Sequence, residues 1–210
     1  MRAASALAAG LTLSGVVAAG ETPLYEPPPA GSYQLPAIQR VSEHWLLDEG
    51  GQRAPVLGLG PGEVAVVAFV YTRCPMACPL ALASLQQLDR SLAGKPALAG
   101  RTRLVTVSFD PAHDTPARMA ELRAHLRPRG DWRFLTSADA SGMEAVLADF
   151  GQDVLPLVRG DGSHTGLLRH VMKVFLVDAE RRVRNVYSAD FLSPELLLLD
   201  LETLSMEARG

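Results

Sequence analysis

The residues best suited to chemistry are Cys74 and Cys78, the only cysteines of the 210-residue chain. They lie in the stretch VAVVAFVYTRCPMACPL (Val64–Leu80), with Pro75, Met76 and Ala77 between them. Sulfurs this close in sequence can share one metal ion or form one disulfide, and the residues alone leave both open. A disulfide across so short a loop removes little chain entropy and would be a poor staple. The thiolate is the reactive and metal-binding form, so the surroundings of the pair decide what it does. After Pro79, leucines at 80, 82, 85, 88 and 92 fall near helical spacing and predict a helix over Pro79–Leu92. Both cysteines then sit at or just before a helix N-terminus, where the dipole and free N–H groups favour thiolate. Arg73 adds a positive charge beside Cys74, and Met76 carries a thioether that a soft metal could touch.

The elements that must position the pair follow from the hydropathy pattern. Val64–Tyr71 is apolar without alternation, as in a strand covered on both faces. Further strands are predicted at Leu104–Phe109, Trp132–Leu135, Val171–Val177 and Val183–Ser188, the last two joined by a turn at Asp178–Arg182. Helices are predicted at Thr115–Leu126, capped by Asp114 or Thr115 ahead of Pro116, at Ala138–Phe150, and at Pro194–Met206. The leucines of the last helix read as core packing. This order is that of a thioredoxin-like α/β fold, a central mixed sheet flanked by helices. Val41–Asp48, turning at Asp48–Gly51, predicts a hairpin added in front of that core. The three residues between the cysteines depart from the two of thioredoxin-like redox enzymes.

Residues 21–40 are rich in proline and read as an extended arm; 41–210 then form a single domain. Met1–Gly20 has one positive charge, a small-residue apolar run and the ending VVAAG. It reads as a secretory signal peptide, with an uncleaved membrane anchor as the alternative. The expected location is therefore exported and periplasmic, soluble or tethered to the inner membrane. No cysteine stands near the cleavage region, which excludes a lipoprotein anchor. The net charge of −3 without a basic patch argues against nucleic acid as a partner. No CxxCH motif is present, so no covalent haem is expected.

A two-cysteine site for a soft metal takes a third donor, and the histidines are His44, His113, His125, His164 and His170. His125 reads as a surface residue of a helix, His44 belongs to the hairpin region, and His113 to the loop DPAHDTP. His170 immediately precedes the strand VMKVFLV. In a thioredoxin-like order that strand lies beside the first core strand, so its approach can pass close to the cysteine loop. The proline expected at this approach is absent: residues 166–169 read GLLR.

Together these features resemble the Sco family, also called SenC, copper chaperones that assist assembly of cytochrome c oxidase. The matching stretches are FVYTRCPMACPLAL, VSFDPAHDTPARM, DWRFLT and RHVMKVFLVD, spanning about Val64 to Ser188. The resemblance implies copper ligation by Cys74, Cys78 and His170, and matches Asp110 and Asp114 to the aspartates of the family's DPxxDTP loop, with an outer-shell role for either. Two plainer roles compete: Asp114 as a helix cap and Asp110 as a turn former with Pro111. Met76–Ala77 is not the commonest pair between the family's cysteines, and the loop 155–168 is short and lacks the acidic stretch of some relatives.

Two thiolates and an imidazole form a soft set that selects Cu(I), tolerates Cu(II) and admits Zn(II), and only the reduced dithiol binds. One expectation is a copper metallochaperone whose acceptor is the dinuclear copper site of cytochrome c oxidase subunit II. A second is a thiol–disulfide oxidoreductase in which Cys74 attacks and Cys78 resolves; either needs a protein reductant in an oxidising compartment. A peroxiredoxin-like peroxidase is a third, disfavoured because no further acid–base set accompanies the pair.

Overall fold

A computed structural model describes residues 26–208, with Asp190 described by its backbone only. The predicted signal peptide and the first residues of the arm lie outside this range. Ten strands and five helices follow in order: β1 (Gln39–Arg40), β2 (Trp45–Leu47), β3 (Arg53–Pro55), β4 (Val64–Val70), α1 (Ala77–Ala93), α2 (Pro96–Ala99), β5 (Thr102–Ser108), α3 (Pro116–Leu126), β6 (Trp132–Leu135), α4 (Ala140–Asp149), β7 (Val154–Val158), β8 (His164–His170), β9 (Lys173–Asp178), β10 (Arg182–Ser188) and α5 (Pro194–Glu207).

β4 is central because nothing in it tolerates water: all seven residues are buried. It pairs in parallel with β5, which pairs in parallel with β6, and it pairs antiparallel with β9. The sheet order is β1-β10-β9-β4-β5-β6, the mixed thioredoxin-like arrangement expected. Alternation along β4 sends Val64, Val66 and Ala68 to one face, with α1, α3 and α5. Ala65, Val67 and Phe69 go to the other face, with α4 and the β2–β3 hairpin. The hairpin turns where predicted, with Asp48 Oδ1 accepting from the amides of Gly50 and Gln52. It is joined to the end of β6 by reciprocal hydrogen bonds between Leu47 and Thr136.

Three features differ from the sequence reading. Residues 155–168, expected as a short loop, form most of a β-hairpin, β7–β8, with Val154 opposite His170. Its turn is closed by Arg159 N–H to Ser163 O at 2.8 Å and Gly162 N–H to Arg159 O at 2.9 Å. Next, the described part of the proline-rich arm lies fixed on the domain. Leu35 is buried, Gly31 N–H donates to Thr203 Oγ1 at 3.0 Å, Tyr33 OH donates to Asp200 at 2.6 Å, and the arm ends in β1 against β10. Finally, α1 starts at Ala77 rather than Pro79, which places Cys78 inside its first turn. Among the described residues no helix is long and apolar enough to cross a membrane.

Candidate metal centre

The site forms at the C-terminal end of β4, where the chain turns from the sheet into α1. Cys74 and Cys78 are both free thiols, and the helix register gives them different surroundings. Cys78 is 1% exposed and packs with Phe69, Tyr71 and Phe109. Burial is the main reason its thiol is pushed up to about 12. The expectation that the helix end favours thiolate therefore fails for Cys78. It holds for Cys74, which is half-buried. Its burial opposes ionisation, but hydrogen bonds from the backbone of Cys78, Met76 and Ala77 outweigh that and hold the thiol below its ordinary value. The Cys78 N–H stands 3.4 Å from Cys74 Sγ.

Arg73 does not take part in this. Its guanidinium turns away to Asp110 at 2.8 Å and to His113 Nδ1 at 2.9 Å, while His113 Nδ1 also contacts Asp110 at 2.9 Å.

His170 ends β8, and the β8–β9 junction brings it to Cys78. Its Nε2 lies 3.8 Å from Cys78 Sγ. A thiolate at about 2.3 Å and an imidazole at about 2.0 Å from one ion at a trigonal angle would stand about 3.7 Å apart. Cys78 and His170 are thus spaced as two ligands of one metal. The ring is wedged against Phe109, centroids 4.7 Å apart, and Tyr71, 6.2 Å apart. Burial lowers its basicity, partly opposed by the Val171 backbone, and so favours the neutral, ligating imidazole. Nδ1 is buried without a hydrogen bond of good geometry. Among the described residues no three His, Cys, Asp or Glu side chains stand together at full metal-ligand spacing.

The two aspartates stand behind the loop. Asp114 is fully buried and accepts from Thr72 N–H at 2.8 Å, Thr72 Oγ1 at 2.5 Å and Ser108 Oγ at 2.5 Å. It clamps the start of the cysteine loop to β5, while Thr115 caps α3. Asp110 is both a turn former, its carbonyl accepting from His113 and Asp114, and the anchor of Arg73. The sequence reading did not anticipate the Arg73–Asp110–His113 cluster; the three-residue spacing of Asp110 and His113 was its available signal.

His44 is tied to Asp149 at 2.9 Å, away from the thiols. His125 is exposed as expected, yet it lies on the rim of a cavity of about 540 Å³ between α1 and α3. Cys74, Cys78, Leu82 and Leu122 also line that cavity, which gives a path to the sulfurs.

Comparison with solved structures returns the same fold. ScoI of Bradyrhizobium japonicum, solved with copper bound, is 24% identical, with 78% of this chain and 98% of that one covered and a TM-score of 0.63. Apo Sco1 of Thermus thermophilus is 25% identical over 83% of this chain and 95% of its own, TM-score 0.66. BsSco, described as a member of the Sco family of cytochrome c oxidase assembly proteins with a disulfide switch, is 21% identical over 82% and 98%, TM-score 0.63. A sequence comparison with curated proteins gives no match. The protein-family model described as SCO1/SenC matches residues 43–205, from the N-terminal hairpin to the last turns of α5. A match over that span, which includes the strand–loop–helix that holds the two thiols, means that the chain belongs to the SCO1/SenC family.

Proposed function

We propose that this protein is a copper chaperone that holds one copper ion on Cys74, Cys78 and His170 and passes it to a copper-accepting protein during cytochrome c oxidase assembly. The observation that carries the reading is the 3.8 Å spacing of Cys78 Sγ and His170 Nε2 beside a second thiol in the same loop. The solved copper-bound relative and the assembly role of BsSco support it at the level of the family. The donor set is soft, as Cu(I) requires, and it tolerates Cu(II). Cys74, with its proton held loosely, is suited to capture the ion first. The metal then displaces the Cys78 proton to solvent, so loading releases protons and weakens as pH falls. Three ligands leave one side of the ion open to an incoming acceptor ligand. The dinuclear copper site of subunit II is the acceptor this reading names, and an exported, periplasmic location fits the signal-like residues 1–20.

The difference between the thiols also favours a second activity, thiol–disulfide exchange. Cys74 thiolate attacks a partner disulfide and releases one partner thiolate. Cys78 then attacks the mixed disulfide, frees the second partner thiol and leaves Cys74–Cys78 oxidised. Two electrons pass to the partner, and a protein reductant must restore the pair. Copper stoichiometry on the reduced chain and its His170→Ala variant separates the two. One copper per chain, lost in the variant while disulfide exchange survives, is expected. No copper in either protein, with a readily cycled disulfide, would overturn the chaperone reading.

A further inference from the structure

Met76 is 75% exposed, the highest value among the large apolar side chains of the described residues, and it belongs to neither core cluster. It lines neither the cavity beside the thiols nor the one lined by His170 and Val171. Neither of these cavities receives it. Its position makes the residue choice more unusual. Met76 is the N-cap of α1 and makes no side-chain cap bond. Ser, Thr, Asp or Asn there would satisfy a free amide and stabilise the helix by about 1 kcal/mol. In this chain Cys74 Sγ takes a first-turn amide instead, that of Cys78. The Met76 side chain is left with no role in packing or in capping.

What it does carry is sulfur. A thioether is neutral, soft and polarisable, and it binds and leaves Cu(I) without gaining or losing a proton. Met76 is two residues from each thiol, a span of at most about 7 Å between Cα atoms, and its three rotatable bonds let the sulfur search that range. Cys78 is buried and Cys74 and His170 are both half-buried, whereas Met76, set between the two cysteines, is exposed, so its thioether can approach an ion held by those donors from the solvent side.

We infer that Met76 is a further, labile sulfur ligand that covers the open side of the copper held by Cys74, Cys78 and His170 and withdraws when an acceptor ligand arrives. The inference rests on the copper reading above and deepens it. It concerns hold and release, with no change in oxidation state: one Cu–S(thioether) bond forms on loading and breaks on transfer.

The experiment is X-ray absorption at the selenium edge on the reduced, copper-loaded protein carrying selenomethionine, alongside Met76→Leu. Copper content is measured first. The chain has six methionines, and only the contribution of residue 76 is removed in the variant. A copper neighbour of selenium in the parent, absent from Met76→Leu, is expected. With it, Cu(I) release to a chelator should be faster in the variant by on the order of tenfold, the low end of what losing a metal-site partner costs. The leucine sits at an exposed site, so folding is unaffected and circular dichroism should superpose. Copper loading without a copper neighbour of selenium overturns the inference and leaves the chaperone reading standing, whatever the release rate. Failure of the parent to load copper overturns both.

Discussion

Replacing Asp114 tests whether the cysteine loop is held by hydrogen-bond geometry. The carboxylate is fully buried, and three donors converge on it: Thr72 N–H, Thr72 Oγ1 and Ser108 Oγ, all within 2.8 Å. In Asp114→Ala the Ser108 hydroxyl loses its acceptor in a dry site. The Thr72 donors, partly accessible, recover some bonding from water. One buried orphan at about 1–3 kcal/mol, plus two partly rehydrated ones, gives a loss of about 3 kcal/mol. At a urea m-value of about 2 kcal/mol/M, that lowers the unfolding midpoint of the reduced apo-protein by about 1.5 M.

Asp114→Asn makes the sharper comparison. The amide oxygen can occupy the position that receives Thr72 N–H and Ser108 Oγ, and the amide NH₂ can donate to Thr72 Oγ1, whose proton rotates aside. All three contacts survive as neutral bonds, and the cost should be about 1 kcal/mol. The assay is urea denaturation followed by circular dichroism, with m-values compared. An alanine variant within 0.5 M urea of the parent, or an asparagine variant as damaged as alanine, would refute the clamp.

Two further outcomes follow from the site and the arm. Cys74 should be alkylated by iodoacetamide well before Cys78, as peptide mass mapping would read. Its thiol is held below the ordinary value near 9, so the midpoint of its rate against pH should fall below that pH, whereas Cys78, pushed up to about 12, should stay unmodified until the solution approaches it. Equal rates at the two sulfurs near neutral pH would contradict the assignment of attacking and resolving roles. In the arm, Leu35→Ala should lower stability by about 2 kcal/mol, the low end of a buried truncation, because Leu35 packs on the sheet face shared with α1 and α5; a change within error in thermal or urea unfolding would mean that the arm adds nothing to the fold.

Legibility in the sequence followed burial. β4 could be read because every residue in it is apolar, and α3 because Thr115 and Pro116 start it by ordinary capping rules. The β7–β8 hairpin could not: Leu155, Leu157 and Val158 are exposed, so no core imposes alternation, and the Asp161–Gly162 turn was its main trace. β1 consists of two exposed residues that exist as a strand only because β10 offers an edge. Asp114 was readable as a cap because its neighbours in sequence are Thr115 and Pro116, but its partners are Thr72 and Ser108, which only tertiary structure brings near. The start of α1 was misplaced for a related reason. Its capping acceptor is Cys74 Sγ, a group that side-chain capping preferences do not include.

The unequal chemistry of the thiols was nonetheless present in the periodicity. The buried stripe of α1 includes Cys78, Ala81, Leu85, Leu88 and Leu92; the last four pack on the sheet face of Val64, Val66 and Ala68, while Cys78, at the head of the stripe, packs with Phe69, Tyr71 and Phe109. With three residues between the cysteines, Cys74 falls just before the helix, opposite its open amides, while Cys78 falls one turn in, on the buried stripe. Moving the second cysteine to position 77 would take it off that stripe and onto the half-buried first residue of α1. It would lose the burial that keeps Cys78 protonated and the packing that sets its sulfur 3.8 Å from His170. The CxxxC spacing is therefore the feature that joins one half-buried, more readily ionised thiol to one sheltered sulfur facing an imidazole. The two-residue spacing of a redox enzyme on this same strand and helix would not place the second sulfur there.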